Sequence, residues 1–218
     1  KAHLAPFVTN HVVTPIEGVN ADCGAATATV LAAVDAGLPV ESAYLEVLVP
    51  VQREVGRLWH AGELGIIEEH VVTFTTERLM ALLAHKAQRA PSVGKTVVCA
   101  AVTGNVHDIA VRVLADFFDI AGWRSVHLGA SVPTEELAMA LQYFDGDLLV
   151  LSAALSVQLP KVAEGIAAVR RIEGRAVRIM VGGLAFDDAP EIWRKLGADG
   201  YAPDARSAVR LGAELLGA

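Results

Sequence analysis

The chain has 218 residues, enough for one large domain or two small ones, each with a core of its own. Its apolar share of 53%, much of it alanine and valine, contains no uninterrupted run of membrane-spanning length, which argues for tight packing and against insertion. A formal charge of −7 leaves no basic face to neutralise phosphates, so no nucleic acid is expected to bind this chain itself.

The opening "KAHLAPF" has no initiating Met and no signal-peptide pattern, which fits a cytoplasmic chain or a fragment of one. A helix within residues 1–19 is doubtful because Pro6 and Pro15 interrupt it. Residues 20–90 carry the helical period. "NADCGAATATVLAAVDAG" starts on cap-type residues and stops at Gly37. "VESAYLEVLVPVQREVGRLW" follows, with a kink expected at Pro50. After the break "HAGELG" comes a long amphipathic helix, "IIEEHVVTFTTERLMALLAHKAQ". "RAPSVGK" reads as a linker. The expected division is a helical bundle over 1–90 and a second domain over 95–218.

Beyond the linker, short apolar runs alternate with helices. The runs are 96–103, 124–129, 147–153, 177–183 and a weak one at 199–202. This rhythm predicts a parallel sheet of five strands, covered on both faces. Ligands of such sheets sit outside the carboxyl ends of the strands at a switch point, and His107 lies just past the end of the first strand. Cys23 and Cys99, far apart in sequence and in apolar surroundings, read as reduced core thiols.

His107, within "GNVHDIA", has two readings. It can be a helix-entry residue, with Asn105 as cap and Asp108 favoured by the helix dipole. It can equally be a metal ligand whose second ring nitrogen donates to Asn105. Small or hydroxyl residues at the strand ends (Gly104, Ser152, Ser156, Gly182, Gly183) suggest a trough for a long, thin ligand part, and Ala110 leaves it open.

"NVHDIA", with "LSAALS" after the third strand and "VGG" after the fourth, resembles the cobalamin-binding module of the base-off/His-on type. That resemblance implies an α/β Rossmann-like (flavodoxin-like) domain binding cobalamin. His107 would be the lower axial cobalt ligand in a loop with Gly104, Asn105, Asp108 and Ile109. Ser152 and Ser156 would face the displaced base, and Gly182 and Gly183 would make room for the nucleotide tail. Two residues depart from the family pattern. Asn105 stands where an acid is usual, which implies a less basic imidazole and a weaker cobalt–histidine bond, and Ala110 replaces a glycine.

In the helical half, Trp59 is followed, after nine intervening residues, by Glu69 and His70. This spacing resembles the cobalamin-dependent photoreceptors related to light-responsive MerR-type regulators. The resemblance implies that the bundle closes over the upper face of adenosylcobalamin. Trp59 would pack on the adenosyl group, Glu69 would accept its hydrogen bonds, and His70 would steady Glu69. Light would cleave the cobalt–carbon bond, and His60 would then bind cobalt from above. A light-dependent homo-oligomer, dimer or tetramer, and an output such as transcription or a fused effector follow from the same resemblance; the chain itself would not be an enzyme. Some relatives of these sensors hold a bilin, which leaves biliverdin open as a second chromophore. The alternative is a corrinoid methyl-carrier protein of a methyltransferase system, and a mutase cobalamin subunit is a weaker third. The remaining histidines, His3, His11, His85 and His127, have no partner pattern and read as structural or surface residues.

Overall fold

The computed structural model describes residues 23–172, 174, 176–189 and 191–217, so the doubtful helix at 1–19 lies outside the described residues. The chain divides after Ala87 into two compact units.

In the first unit, α1 (Cys23–Asp35) is followed by α2, a continuous rod made of Val40–Ala43, a π-helical turn Tyr44–Leu48, and Val49–His60; α3 (Ile66–Lys86) completes it. The π turn is how the chain absorbs Pro50. Proline has no N–H for the Glu46 carbonyl, and just before it the Val49 N–H bonds to Tyr44 O, five residues back, rather than to Leu45 O. The core of this unit includes Val30, Tyr44, Val51, Val55, Leu79 and Met80. Tyr44 is fully buried, and its hydroxyl donates to Met80 O at 3.1 Å. Gln52 Nε2 donates to Thr76 Oγ1 at 2.7 Å, tying α2 to α3.

The second unit runs β1 (Thr96–Val102), α4 (Asp108–Ile120), β2 (Arg124–Val132), α5 (Thr134–Phe144), β3 (Leu148–Ser152), α6 (Leu159–Arg170), β4 (Arg178–Gly182), α7 (Ile192–Leu196), β5 (Gly200–Tyr201) and α8 (Ala205–Leu216). All four strand pairings are parallel, in the order β2-β1-β3-β4-β5. Alternate residues of the fully buried β1 feed two cores. Val98, Ala100 and Val102 pack with Leu137 and Leu141 of α5 and Ile166 of α6. Val97, Cys99 and Ala101 pack with Val111 and Phe118 of α4 and Ala208 of α8. This is the covered parallel sheet that the apolar runs predict.

The chain leaves β1 for β2 on one side and returns to β3 on the other, so the switch point falls between β1 and β3. The loops following those two strands, 103–107 and 153–155, therefore flank it. β2 extends to Val132 rather than stopping at 129. Its pairing with β1 carries two irregularities, between Cys99 and Ala100 and between Ala100 and Val102, and these let the strand continue past Gly129. Cys99 is buried and its thiol is pushed far above the usual range by burial, as expected of a core thiol. Cys23 is half-exposed, contrary to the core reading; it opens α1 instead of sitting within a helix interior.

Candidate functional site

The loop after β1 is organised around Asn105, which is 0% exposed. Its Oδ1 accepts the backbone N–H of His107 at 3.2 Å, an Asx turn, and lies 2.9 Å from His107 Nδ1. Its Nδ2 donates to Ser152 O at 3.0 Å. Because Nδ2 faces a carbonyl, the amide orientation is fixed, and Oδ1 can only accept. His107 Nδ1 must then carry the proton, which leaves Nε2 as the nitrogen with the free lone pair. The ring is exposed at the N-cap position of α4, and Nε2 has no hydrogen-bond partner among the described residues. Asn105 is therefore not the helix cap that the helix-entry reading requires; it sits two residues before the capping position and orients the imidazole.

Both flanks of this loop are tied down. On the β2 side, Ser131 Oγ accepts the Gly104 N–H at 3.0 Å and Thr103 Oγ1 donates to Val132 O at 2.8 Å. On the β3 side, buried Gln158 donates through Nε2 to Gly104 O at 2.9 Å, while its Oε1 accepts from the Ala154 and Leu155 N–H groups at 2.9 and 3.1 Å. Gln158 joins the two loops at the switch point, and sequence reasoning missed it. The available signal was a glutamine two residues after Ser156 that the trough reading left unused. Asp108 pairs with His127 at 2.8 Å, so His127 does have a partner. Ile109 is half-buried, Ser152 is buried and Ser156 is exposed at the loop following β3.

Large apolar side chains stand uncovered at the same end of the sheet: Val106 at 73%, Leu155 at 53%, Val157 at 78% and Leu184 at 58% exposed. Such a cluster marks a surface that meets an apolar ligand. The two glycines at the end of β4 are also demanded by the backbone around them. A Cβ on Gly182 would lie 2.7 Å from Ala202 O, and one on Gly183 would collide with Ala153 O. Neighbouring backbone fills the space that these side chains would take. Gly183 also sits at φ +99, ψ 169, a region open to glycine alone. Gly183→Ala is expected to cost about 1–3 kcal/mol from backbone strain alone, seen as a lowered midpoint in urea unfolding.

In the helical unit, the turn 61–65 places the end of α2 and the start of α3 at one end. Trp59 is 54% exposed, which excludes a core role. His60 is exposed at the last position of α2. Glu69, in the first turn of α3, is held twice: His70 Nδ1 lies 2.6 Å from Oε2, and Thr73 Oγ1 donates to Oε1 at 2.7 Å. Thr73 is a second residue that sequence reasoning missed, one helical turn after Glu69. Ile66, Ile67 and Phe74 are exposed beside this group.

Among the described residues, no three His, Cys, Asp or Glu side chains converge to hold a metal ion. A single imidazole Nε2, oriented from behind at the end of the sheet that also exposes Val106, Leu155, Val157 and Leu184, fits a metal that brings its own equatorial ligands in a macrocycle. The residues present therefore fit a corrin. Among the described residues, no helix is long and apolar enough to cross a membrane.

Comparison with known proteins gives matches across both units. One B12 binding domain model matches residues 95–210 and a second matches residues 18–84. Dimethylamine corrinoid protein 1 of Methanosarcina acetivorans is 30% identical over 170 residues, covering 75% of this chain and 77% of that protein. The HTH-type transcriptional repressor CarH of Myxococcus xanthus is 29% identical over 156 residues, covering 72% of this chain and 52% of the repressor. The structure of the Methanosarcina barkeri monomethylamine corrinoid protein superposes with a TM-score of 0.80, at 20% identity, covering 97% of this chain and 96% of that one; this likeness concerns the fold.

Proposed function

We propose, from the premise that this chain belongs to the B12-binding domain family, that it is a corrinoid carrier which holds cobalamin through His107 and serves a separate partner protein. The observation that carries the proposal is the Ser152–Asn105–His107 relay, which leaves one imidazole nitrogen bare at the switch point. Cobalamin supplies a cobalt–carbon bond, which a methyl carrier offers to a partner enzyme and a light sensor loses on illumination. In both cases the work of the chain is positional. Asn105 fixes the tautomer of His107, Gln158 joins the two loops, and the exposed apolar residues of these loops would keep water from a corrin bound against them. The 30% identity to dimethylamine corrinoid protein 1 of Methanosarcina acetivorans favours the carrier over the sensor.

A second reading, a light-responsive adenosylcobalamin sensor, is favoured by one specific group. Trp59 and His60 at the end of α2, with Glu69 braced by His70 and Thr73, form an aromatic and carboxylate face suited to an adenosyl group. A methyl carrier has no use for that arrangement, since a methyl group offers nothing to hydrogen-bond.

Illumination with green light separates the two. The carrier reading expects a photoproduct whose spectrum is the same in the parent protein and in His60→Ala, together with repeated reduction and remethylation by methyl iodide in the protein. A stable bis-imidazole spectrum after light, abolished by His60→Ala, would replace the carrier reading with the sensor. The same spectrum reports any bilin band.

A further inference from the structure

Nothing in the sequence singles out His127, yet it connects the middle of β2 to the helix that follows His107. Its Nε2–H donates to Asp108 Oδ1 at 2.8 Å, and the two side chains are 30% and 31% exposed. The strand around it is irregular. Cys99 of β1 pairs with His127 and Ala100 with Gly129, so Leu128 is an extra residue; a second extra residue precedes Val132. Bulges beside a site re-aim the strand that carries them. Here β2 offers four groups to the loop after β1 and to the first residue of α4. Ser131, at φ +49, accepts from the Gly104 N–H and donates its own N–H to Asn105 O at 2.9 Å. Val132 O takes the Thr103 hydroxyl, and His127 takes Asp108.

Three of these bonds hold residues 103–105, on the strand side of His107. Only the His127–Asp108 bond acts on its other side, at the first residue of α4. His107 is the junction between the two, with φ −82 and ψ 86, outside helical geometry. The direction of its ring therefore depends on both flanks. Asn105 sets which nitrogen is free; the start of α4 sets where that nitrogen points.

We propose that His127 is a positioning residue: by anchoring Asp108 it fixes the first turn of α4, and with it the direction in which His107 presents Nε2. The inference rests on the reading of His107 as the cobalt ligand. It differs from a surface ion pair, which would contribute only about 0–1 kcal/mol of stability and nothing to ligation.

The test uses the full chain loaded with cob(II)alamin and labelled with ring-¹⁵N histidine, read by paramagnetic resonance, with cobalamin affinity and melting measured alongside. His127→Ala is expected to bind cobalamin about tenfold more weakly, with a smaller share of histidine-coupled cobalt and an unchanged melting transition. His127→Gln, whose amide can still donate to Asp108, is expected to recover both readouts. Parent-like affinity and coupling in His127→Ala would overturn the proposal. So would loss of its melting transition, since the residue would then be structural. A parent protein without ¹⁵N coupling, or coupling that survives His107→Ala, would instead remove the ligation reading, and this inference with it.

Discussion

Alanine at position 107 is expected to lower cobalamin affinity by roughly 100-fold, the upper end of what disturbing a metal's surroundings costs, while leaving the fold intact. The two halves of this expectation come from different observations. The imidazole is exposed, and its one side-chain hydrogen bond is to Asn105. The Asx turn that shapes the loop uses the backbone N–H of residue 107, which alanine retains. Unfolding free energy should therefore change by no more than about 0.5 kcal/mol, as for a surface substitution. Absorbance titration with cobalamin and urea unfolding read the two quantities separately. Equal loss of both would mean that His107 acts as a structural helix-entry residue.

Asn105→Ala is expected to damage both quantities. Asn105 is fully buried, and removing it takes away the donor to Ser152 O and the acceptor of both His107 nitrogens, main-chain and Nδ1. Unpairing buried polar groups costs about 1–3 kcal/mol. Loss of the tautomer lock should weaken cobalamin binding by about tenfold or more. Asn105→Asp separates the two roles. It keeps an acceptor for the imidazole, and a charged one, so the ring becomes more basic and the cobalt–nitrogen bond should strengthen. It also sets a carboxylate oxygen against the Ser152 carbonyl where an N–H stood, so stability should fall. An aspartate variant more stable than the parent chain would mean that the Ser152 contact is not the reason for an amide at this position.

Much of the α/β unit was legible because its signals are local. The apolar runs at 96–103, 147–153 and 177–183 correspond to β1, β3 and β4 with ends shifted by a residue or so, since buried parallel strands leave near-continuous apolar stretches. β2 was less legible. Its bulged, half-exposed carboxyl end carries Gly129 and Ser131, and only pairing with β1 shows that it continues past 129 to Val132. The same tertiary origin hid His127 and Gln158, whose partners lie 19 and 54 residues away. The π turn in α2 was legible only as a kink, because the missing N–H of Pro50 says where a bond is lost and not that the Val49 N–H will reach back to Tyr44 O.

The candidate site divides in the same way. His107 and Asn105 were readable together because the Asx turn and the ring contact are both local, two residues apart. Gly182 and Gly183 were singled out as room for a nucleotide tail; the close backbone approach of Ala202 and Ala153, which also demands glycine there, is encoded by no one-dimensional pattern. In the helical unit, the pairing of Glu69 with His70 follows from adjacency, whereas its bond to Thr73 needs the helical turn to bring the hydroxyl round.

The most direct test of the central claim is the paramagnetic resonance spectrum of the full chain loaded with cob(II)alamin and made with ring-¹⁵N histidine. Coordination by His107 predicts a two-line nitrogen splitting from the labelled imidazole, absent in His107→Ala. A three-line splitting that ignores the label would mean that the cofactor's own base still holds the cobalt, and would contradict the account.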